Sequence, residues 1–237
     1  MLKIIECEQG SDAWFKIRAG RVTASRIADI VRKTKTGVSK MRATYAGEII
    51  AERLSGFQAG DGFMTPAMQR GKDLEDKARA MYAFLYEAQP VRVGFVIHPT
   101  IDMAGASPDS LIGDDGGLEI KVPNSATHID TLLGGDIEPD YYKQIQWNMA
   151  CAKRAWWDYA SFDDRLHERM QLHVTRVRRD DEGLEQPVEL PLRVRYHRCR
   201  IPCLESVSGR SVRHLPACDG RDESTRRGPR PQNRPRP

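Results

Sequence analysis

Two acidic residues and a lysine lie on either side of a glycine-rich turn. Asp109 precedes the turn, and Glu119 and Lys121 follow it with one residue between them, so on a strand these two would share a face. If Asp109 occupies the same face of the neighbouring strand, the two carboxylates can share a divalent cation such as Mg²⁺. A lysine beside that cation can orient or deprotonate a water that attacks a phosphodiester. A solvated group of charges on an exposed strand is the alternative.

A third acid, Glu75, joins this pattern from a predicted helix. Gly71 lies one turn before it and Ala78 nearly one turn after it, so this helix face carries little side-chain bulk. Such a face can pack closely against a sheet and direct one carboxylate into a metal site. Glycine within a helix costs about 1 kcal/mol relative to alanine, which favours a packing or functional reason for Gly71.

Periodicity predicts the elements that position these acids. Residues 65–86 have apolar positions at helical spacing and a proline at the start, so we expect one long helix. The alternation in residues 91–97 predicts a strand. Residues 103–112 and 118–122 are predicted to form a hairpin around the turn at 113–117.

The remaining elements complete one α/β domain. Helices are predicted in residues 10–18, 23–36, 43–54 and 141–154, and strands in residues 156–160 and 172–177. Helices before and after a mostly antiparallel sheet indicate a single α/β domain.

Composition excludes several classes of protein. The chain has 237 residues, of which 40% are hydrophobic and 30% charged, as is typical of a soluble globular protein. No apolar run approaches the roughly 18 to 20 residues that span a bilayer, and the first residues become acidic too soon for a secretory signal. We therefore expect a cytoplasmic protein without membrane association.

The formal net charge of +4 is unevenly distributed. Residues 185–237 contain 12 Arg against 6 Asp or Glu, which leaves −2 for residues 1–184. A polyanion bound by the first part of the chain must therefore be held by locally placed side chains. Residues 221–237 alternate Arg and Pro over 227–231 and 234–237, and the whole segment is predicted to be disordered.

The tail also contains three of the five cysteines. Cys199, Cys203 and Cys218 lie near His197 and His214, but their spacing fits no common paired Cys-x-x-Cys zinc pattern. We therefore predict no zinc site there.

The spacing of the candidate residues resembles a known group of nucleases. Pro108-Asp109, Glu119-x-Lys121 and the helical Gly71-x-x-x-Glu75 are similar to the PD-(D/E)xK superfamily, and within it to the lambda exonuclease or YqaJ-type phage recombination nucleases. The resemblance covers most of residues 9–182. Further matching motifs are Ser11-Asp12-Ala13-Trp14 with Arg18, Thr23-Ala24-Ser25, Ala106-Ser107, Tyr141-x-x-Gln144-Ile145-Gln146, Ala155-Trp156-Trp157 and Phe162-Asp163. The resemblance implies a central mixed, largely antiparallel sheet flanked by helices.

The resemblance also implies a metal-dependent catalytic site. Asp109, Glu119 and the main-chain carbonyl of Ile120 are expected to bind Mg²⁺, with Mn²⁺ as a possible substitute, and Lys121 is expected to activate the water. Glu75 would hold a second metal or the attacking water. Gln144, from the later helix, would support the same site.

A second implied site is a pocket for the terminal 5′-phosphate, formed by Arg18, Ser25 and Ser107. A guanidinium and hydroxyls suit phosphate oxygens. From the residues alone, Arg18 is equally well an ordinary helix-end cation and Ser25 an N-cap. Met68 is expected either to separate the terminal base pair as an apolar wedge or to be a core residue.

The resemblance implies an Mg²⁺-dependent 5′ to 3′ exonuclease acting on linear double-stranded DNA with 5′-phosphate ends. It would leave 3′ single-stranded overhangs for a single-strand annealing protein, act as a homo-oligomer, by resemblance a trimer, and function in the cytoplasm of a bacterial host or be prophage-encoded. One alternative is a structure-selective or restriction-type endonuclease. The other is a catalytically silent DNA-end binding protein, against which the presence of all the acids argues.

The sequence departs from the family pattern near residue 183. Residues 1–182 are predicted to form the exonuclease domain, and residues 183–237 an atypical Arg/Pro-rich tail in place of the family's terminal amphipathic helix. Lys153 is the last lysine of the chain. We hypothesise that a shifted reading frame explains this change, which comparison of the three frames of the encoding DNA tests.

Overall fold

The computed structural model describes residues 2–34, 37–58 and 64–180. The helices are α1 (Asp12–Arg18), α2 (Ile27–Val31), α3 (Lys40–Ser55), α4 (Pro66–Leu85), α5 (Ser125–Leu132) and α6 (Pro139–Ala152). The strands are β1 (Lys3–Ile5), β2 (Val22–Thr23), β3 (Lys33–Thr34), β4 (Gly37–Val38), β5 (Pro90–Val91), β6 (Phe95–Ile97), β7 (Ala104–Ala106), β8 (Ser110–Ile112), β9 (Gly116–Lys121), β10 (Trp156–Phe162) and β11 (Leu172–Arg178). The predicted tail and its cysteines lie outside the described residues.

Two mixed sheets form the centre of the fold. One has the order β1-β6-β7-β2 and the other the order β11-β10-β9-β8-β5. Only the β2–β7 and β9–β10 pairs are parallel within these two described sheets. The predicted α/β fold, with a largely antiparallel sheet and flanking helices, is confirmed, although the strands are divided between two sheets.

Two strand predictions were wrong in the same way. Residues 91–97 form two strands, β5 and β6, that belong to different sheets. A Cβ atom at Gly94, between them, would lie 2.5 Å from the main-chain oxygens of Ile5 and Cys7, so this close approach requires glycine. Residues 103–112 likewise divide into β7 and β8, and Pro108, which lacks an N–H group, lies in the break. Asp109 is therefore placed where the chain passes from one sheet to the other.

The helix predictions were better, because caps and periodicity are local. Ser11 caps α1, Thr65 caps α4, and α3 and α6 lie where expected. The helix predicted in residues 23–36 is shorter, because Arg32 has an extended backbone and the β3–β4 hairpin follows it. The sequence analysis missed α5, which Asn124 caps by accepting a hydrogen bond from Thr127 N at 2.9 Å. Of the described helices, none is both long and apolar enough to cross a membrane.

The second sheet packs on α4 through an apolar cluster. Leu118 and Ile120 of β9 belong to this cluster, as do Ala78 and Tyr82 of α4. Glu119, between them in sequence, points to the other face, towards α6. The alternation predicted for this strand is confirmed, and it places one apolar face on α4 and one acidic residue opposite.

The close packing expected at Gly71 is not present. A Cβ atom added there would have no neighbour within 4 Å, whereas Ala78 further along α4 is fully buried. The helix therefore packs on the sheet from Ala78 onward, and Gly71 lies beside open space.

Candidate active site

Asp109 is held against β9 by a main-chain hydrogen bond. Ile120 N donates to Asp109 Oδ2 at 2.6 Å. This bond places the carboxylate beside the strand that carries Glu119 and Lys121. Asp109 is thus in position because the chain leaves β7, turns at Pro108 and enters β8 next to β9.

Glu119 is 2% exposed and is surrounded by hydrogen-bond donors. Its Oε1 accepts from Lys121 Nζ at 2.7 Å and from Gln144 Nε2 at 2.6 Å. Its Oε2 accepts from Asn148 Nδ2 at 3.0 Å. Lys121 Nζ also lies 4.8 Å from the centre of the Tyr141 ring. The structure therefore brings together the predicted residues of β9 and α6.

Glu75 reaches the site from α4, where Arg79 holds it. Arg79 is buried and forms an ion pair with Glu75, one helical turn away. Its Nε donates to Ser110 Oγ at 3.0 Å, and its Nη2 lies 3.4 Å from the main-chain oxygen of Asp109. Arg79 thus joins the acid of α4 to the start of β8. The sequence analysis missed Arg79, although its i, i+4 spacing from Glu75 is a signal for an ion pair.

Burial and neighbouring carboxylates shape the electrostatics of the site. Burial, and then the charges of Glu119 and Glu75, raise the pKa of Asp109 well above its usual value, with Lys121 acting in the opposite direction. Burial acts to lower the pKa of Lys121, but the carboxylates of Glu119 and Asp109 outweigh it, so the pKa is raised. Lys121 is therefore protonated in this site. A cation bound among the closely spaced carboxylates would reduce their mutual repulsion.

The donor chemistry fits a hard divalent cation, which prefers carboxylate and carbonyl oxygens. Within the part of the chain that the structure describes, no three His, Cys, Asp or Glu side chains are grouped as a ready metal site. A cation bound by Asp109 and Glu119 would therefore complete its ligands with main-chain oxygen and water. Magnesium commonly retains several waters in this way.

Arg18 and Ser107 form a second polar site. Ser107 Oγ accepts hydrogen bonds from Arg18 Nη1 at 3.0 Å and from Trp14 Nε1 at 2.8 Å. The hydroxyl keeps its own proton for another acceptor. The Arg18 guanidinium lies 4.1 Å from the centre of the Trp14 ring.

Arg18 is not an ordinary helix-end cation. It is only 9% exposed, and its buried Nε has no hydrogen-bond partner among the described residues. Burial lowers its pKa to about 10, while Tyr45 and Glu52 act in the opposite direction. A buried guanidinium with an unused donor, beside a hydroxyl with a free proton, suits an anion.

Ser25 and Met68, the other two residues expected to contact the DNA end, are both exposed. In the parallel β2–β7 pair, Thr23 lies opposite Gly105, so Ser25 and Ser107 both follow two residues later, at the same end of the strands. Ser25 is exposed and is not an N-cap, since Thr23 precedes the short 3₁₀ helix. Met68, in the first turn of α4, is 56% exposed and is therefore not a core residue.

One cavity borders part of each site. It has a volume of about 370 Å³, and Trp14, Glu75 and Asp109 are among its lining residues. Lys72 and Arg92 place positive charge on its wall, and Glu6 and Glu8 place negative charge there. Trp14 of the second polar site and two of the acids, Glu75 and Asp109, therefore open into the same space.

Comparisons with known proteins find a matching family and similar solved structures. Residues 13–155 match the model of the YqaJ-like viral recombinase domain. The crystal structure of an alkaline exonuclease (LHK-Exo) from Laribacter hongkongensis is 44% identical, with 77% of this chain and 88% of that chain covered and a TM-score of 0.67. The structure of LHK-Exo in complex with dAMP gives the same values.

A more distant likeness supports the fold alone. A phage related exonuclease from Haemophilus somnus 129PT is 13% identical, with 69% of this chain and 86% of that chain covered and a TM-score of 0.51. No curated protein sequence matches the chain significantly.

Proposed function

The chain belongs to the YqaJ-like viral recombinase family and is a DNA exonuclease of the phage recombination type, and on this premise we propose that it digests linear double-stranded DNA from 5′-phosphorylated ends in a Mg²⁺-dependent reaction. The product would be a duplex with 3′ single-stranded overhangs. The observation that carries this proposal is that Ser107, which accepts a hydrogen bond from Arg18, and Asp109 are two residues apart in the segment that joins β7 to β8. A strand end held at Arg18 and Ser107 would lie beside the acids that cut it.

The acids and amides of the site have separate proposed roles. Asp109, Glu119 and the Ile120 carbonyl would hold Mg²⁺ or Mn²⁺, and Glu75 would hold a second ion or orient the attacking water. A bound divalent cation supplies Lewis-acid activation and stabilises negative charge on the phosphate. Gln144 keeps Glu119 in place through its 2.6 Å hydrogen bond.

Lys121 is protonated in the metal-free site. Its ammonium group donates to Glu119 Oε1, and its raised pKa keeps the proton there. We infer that Lys121 first acts as a donor to the attacking water or the phosphate oxygens. It becomes a proton acceptor only when the neighbouring carboxylates are neutralised, because their charge is what raises its pKa.

The proposed DNA-end contacts come from three elements. Arg18 and Ser107 would bind the 5′-phosphate, with Ser25 at the same end of β2 and β7 as a further donor. Met68 is exposed at the start of α4 and would act as the wedge between the terminal bases. A homotrimer, a single-strand annealing partner and a bacterial or prophage setting complete the proposal by family resemblance.

Strand-specific digestion tests the proposal. The substrate is a linear duplex labelled separately on each strand, with either a 5′-phosphate or a 5′-hydroxyl, and it is incubated with and without Mg²⁺. We expect Mg²⁺-dependent loss of the 5′-phosphorylated strand, and a rate at least about 100-fold lower for Lys121→Ala. A covalently closed circular duplex is the control, and it should remain intact. Cutting of the circle would instead support an endonuclease, and binding of ends without cutting would support a silent binding protein.

A further inference from the structure

A second amide of α6 contacts the proposed metal-binding carboxylate. Asn148 lies one helical turn after Gln144, and both side chains point towards β9. Gln144 Nε2 donates to Glu119 Oε1, while Asn148 Nδ2 donates to Oε2 at 3.0 Å. The two oxygens of one carboxylate are thus held by two amides on successive turns of one helix.

The orientation of the Asn148 amide is set by Glu119. Asn148 is fully buried, and its Oδ1 has no hydrogen-bond partner in the described part of the protein. A flipped amide would place Oδ1 against Glu119 Oε2, where two acceptors repel each other. A buried carbonyl without a partner lowers stability, and an apolar side chain of similar size would avoid that cost. The amide therefore contributes at Glu119 rather than to the stability of the core.

A neutral donor at Oε2 leaves that oxygen able to bind a cation. A carboxylate oxygen has two lone-pair sites, and Asn148 uses one of them without cancelling the negative charge. Oε1, in contrast, already accepts from the Lys121 ammonium and the Gln144 amide. Fixing Oε2 fixes the rotation of the whole carboxylate group, as polar partners of metal ligands commonly do.

We propose that Asn148 is a positioning residue that orients Glu119 Oε2 for the divalent cation. This inference rests on the proposed function of the site. Asn148 would touch neither DNA nor cation, and its effect would pass through Glu119.

Asn148→Leu tests the proposal, with Gln146→Leu as the matched control on the same helix. Gln146 is also a buried amide, but it bonds Arg178 O and Asp180 N, both at 2.9 Å, away from Glu119. Mg²⁺ binding to each metal-free variant is measured by calorimetry, alongside the melting temperature and the exonuclease kcat. For Asn148→Leu we expect a melting temperature lowered no more than in the control, because removal of the unpartnered carbonyl offsets part of the lost hydrogen bond to Glu119, with Mg²⁺ affinity weakened about 10- to 100-fold. Its kcat at limiting Mg²⁺ should fall, and added Mg²⁺ should restore part of it.

The control should show a lower melting temperature together with wild-type Mg²⁺ affinity. Wild-type affinity in Asn148→Leu would overturn the proposal, as would a loss of affinity that only follows a loss of stability. If Asn148→Leu does not fold, Asn148→Gln and Asn148→Met carry the test, because the two side chains have similar length and only glutamine can donate to Oε2, so the glutamine variant should bind Mg²⁺ more tightly. A wild-type protein that neither binds Mg²⁺ nor cuts DNA would overturn the proposed function, and this inference with it.

Discussion

The ionised form of Asp109 is disfavoured in the folded site. Its pKa is raised by burial and by Glu119 and Glu75, so the native state favours its protonated form. The stabilising contribution of this group is complete below its unfolded pKa and is lost as the pH rises through its raised native pKa. Without Mg²⁺, the ionised Asp109 therefore destabilises the fold at neutral and alkaline pH.

Asp109→Asn should consequently stabilise the metal-free protein while abolishing cutting. Asparagine keeps an acceptor for Ile120 N but carries no charge. We expect its advantage in melting temperature to increase from acid to alkaline pH, as measured by thermal unfolding in chelator. A variant that is no more stable than the wild type at any pH would contradict the raised pKa.

If Arg18 binds the terminal phosphate, the effect of substituting it should depend on whether the 5′ end is phosphorylated. Arg18→Lys keeps the positive charge but removes the guanidinium group. In the wild type, Nη1 of that group donates to Ser107, and its Nε is available to an anion. Loss of one charged hydrogen bond to phosphate should lower kcat/KM about 10- to 100-fold on 5′-phosphorylated ends. Ends with a 5′-hydroxyl should change little. An equal loss on both ends would show that Arg18 does not recognise the phosphate.

The sequence predicted the types of the site residues better than their surroundings. Asp109, Glu119 and Lys121 stood out because acids and a lysine at this spacing suit metal chemistry, whereas Gln144 was found only by resemblance. Asn148 was missed because its partner Glu119 is 29 residues away, and the link from Arg79 to β8 was missed because Ser110 is 31 residues away, although the pair with Glu75 is local. Burial, which distinguishes Arg18 from a surface cation, is also a property of the fold.

At the scale of elements, a substitution at Gly71 tests whether DNA lies beside this part of α4. Open space surrounds it, so Gly71→Ala should fit and should stabilise the helix by about 1 kcal/mol. That gain corresponds to a rise of about 2–4 °C in melting temperature for a chain of this size. Slower cutting by a more stable variant would indicate that DNA occupies the space. A fall in melting temperature would contradict the open environment.

Arg79 tests the link between α4 and β8. Arg79→Met removes the partner of Glu75 and of Ser110 Oγ, and we expect the free energy of unfolding to fall by about 1–3 kcal/mol. Arg92, an exposed partner of Asp76, is the matched control, and Arg92→Met should cost less than about 1 kcal/mol. Urea unfolding measures both. Equal effects would show that the buried guanidinium makes no special contribution.

Helices were predicted more accurately than strands, for a physical reason. The caps and apolar stripes of α4 and α6 are local signals. Phe95, Val96 and Ile97 are all buried, so β6 shows no alternation, and its sheet is decided by partners elsewhere in the chain. The divisions at Gly94 and Pro108 depend on such long-range contacts.

At the scale of the molecule, the segment that joins the two sheets carries residues of both proposed sites. Ser107 and Asp109 are two residues apart in the segment that joins β7 to β8. In the proposed function, one sheet presents the anion site and the other the acids, and Trp14, Glu75 and Asp109 line one cavity. The proposal of cutting at a strand end rests on this arrangement. It also explains how residues 1–184, with a net charge of −2, can hold DNA through local contacts.

The release of the first product tests this account most directly. A linear duplex carrying a labelled 5′-phosphate is mixed with the protein and Mg²⁺, and products are resolved on a rapid time course. We predict that the label appears first in a mononucleotide, while the complementary strand keeps its full length. Labelled fragments of intermediate length, or earlier release of a 3′-terminal label, would contradict the placement of the 5′-phosphate beside the acids.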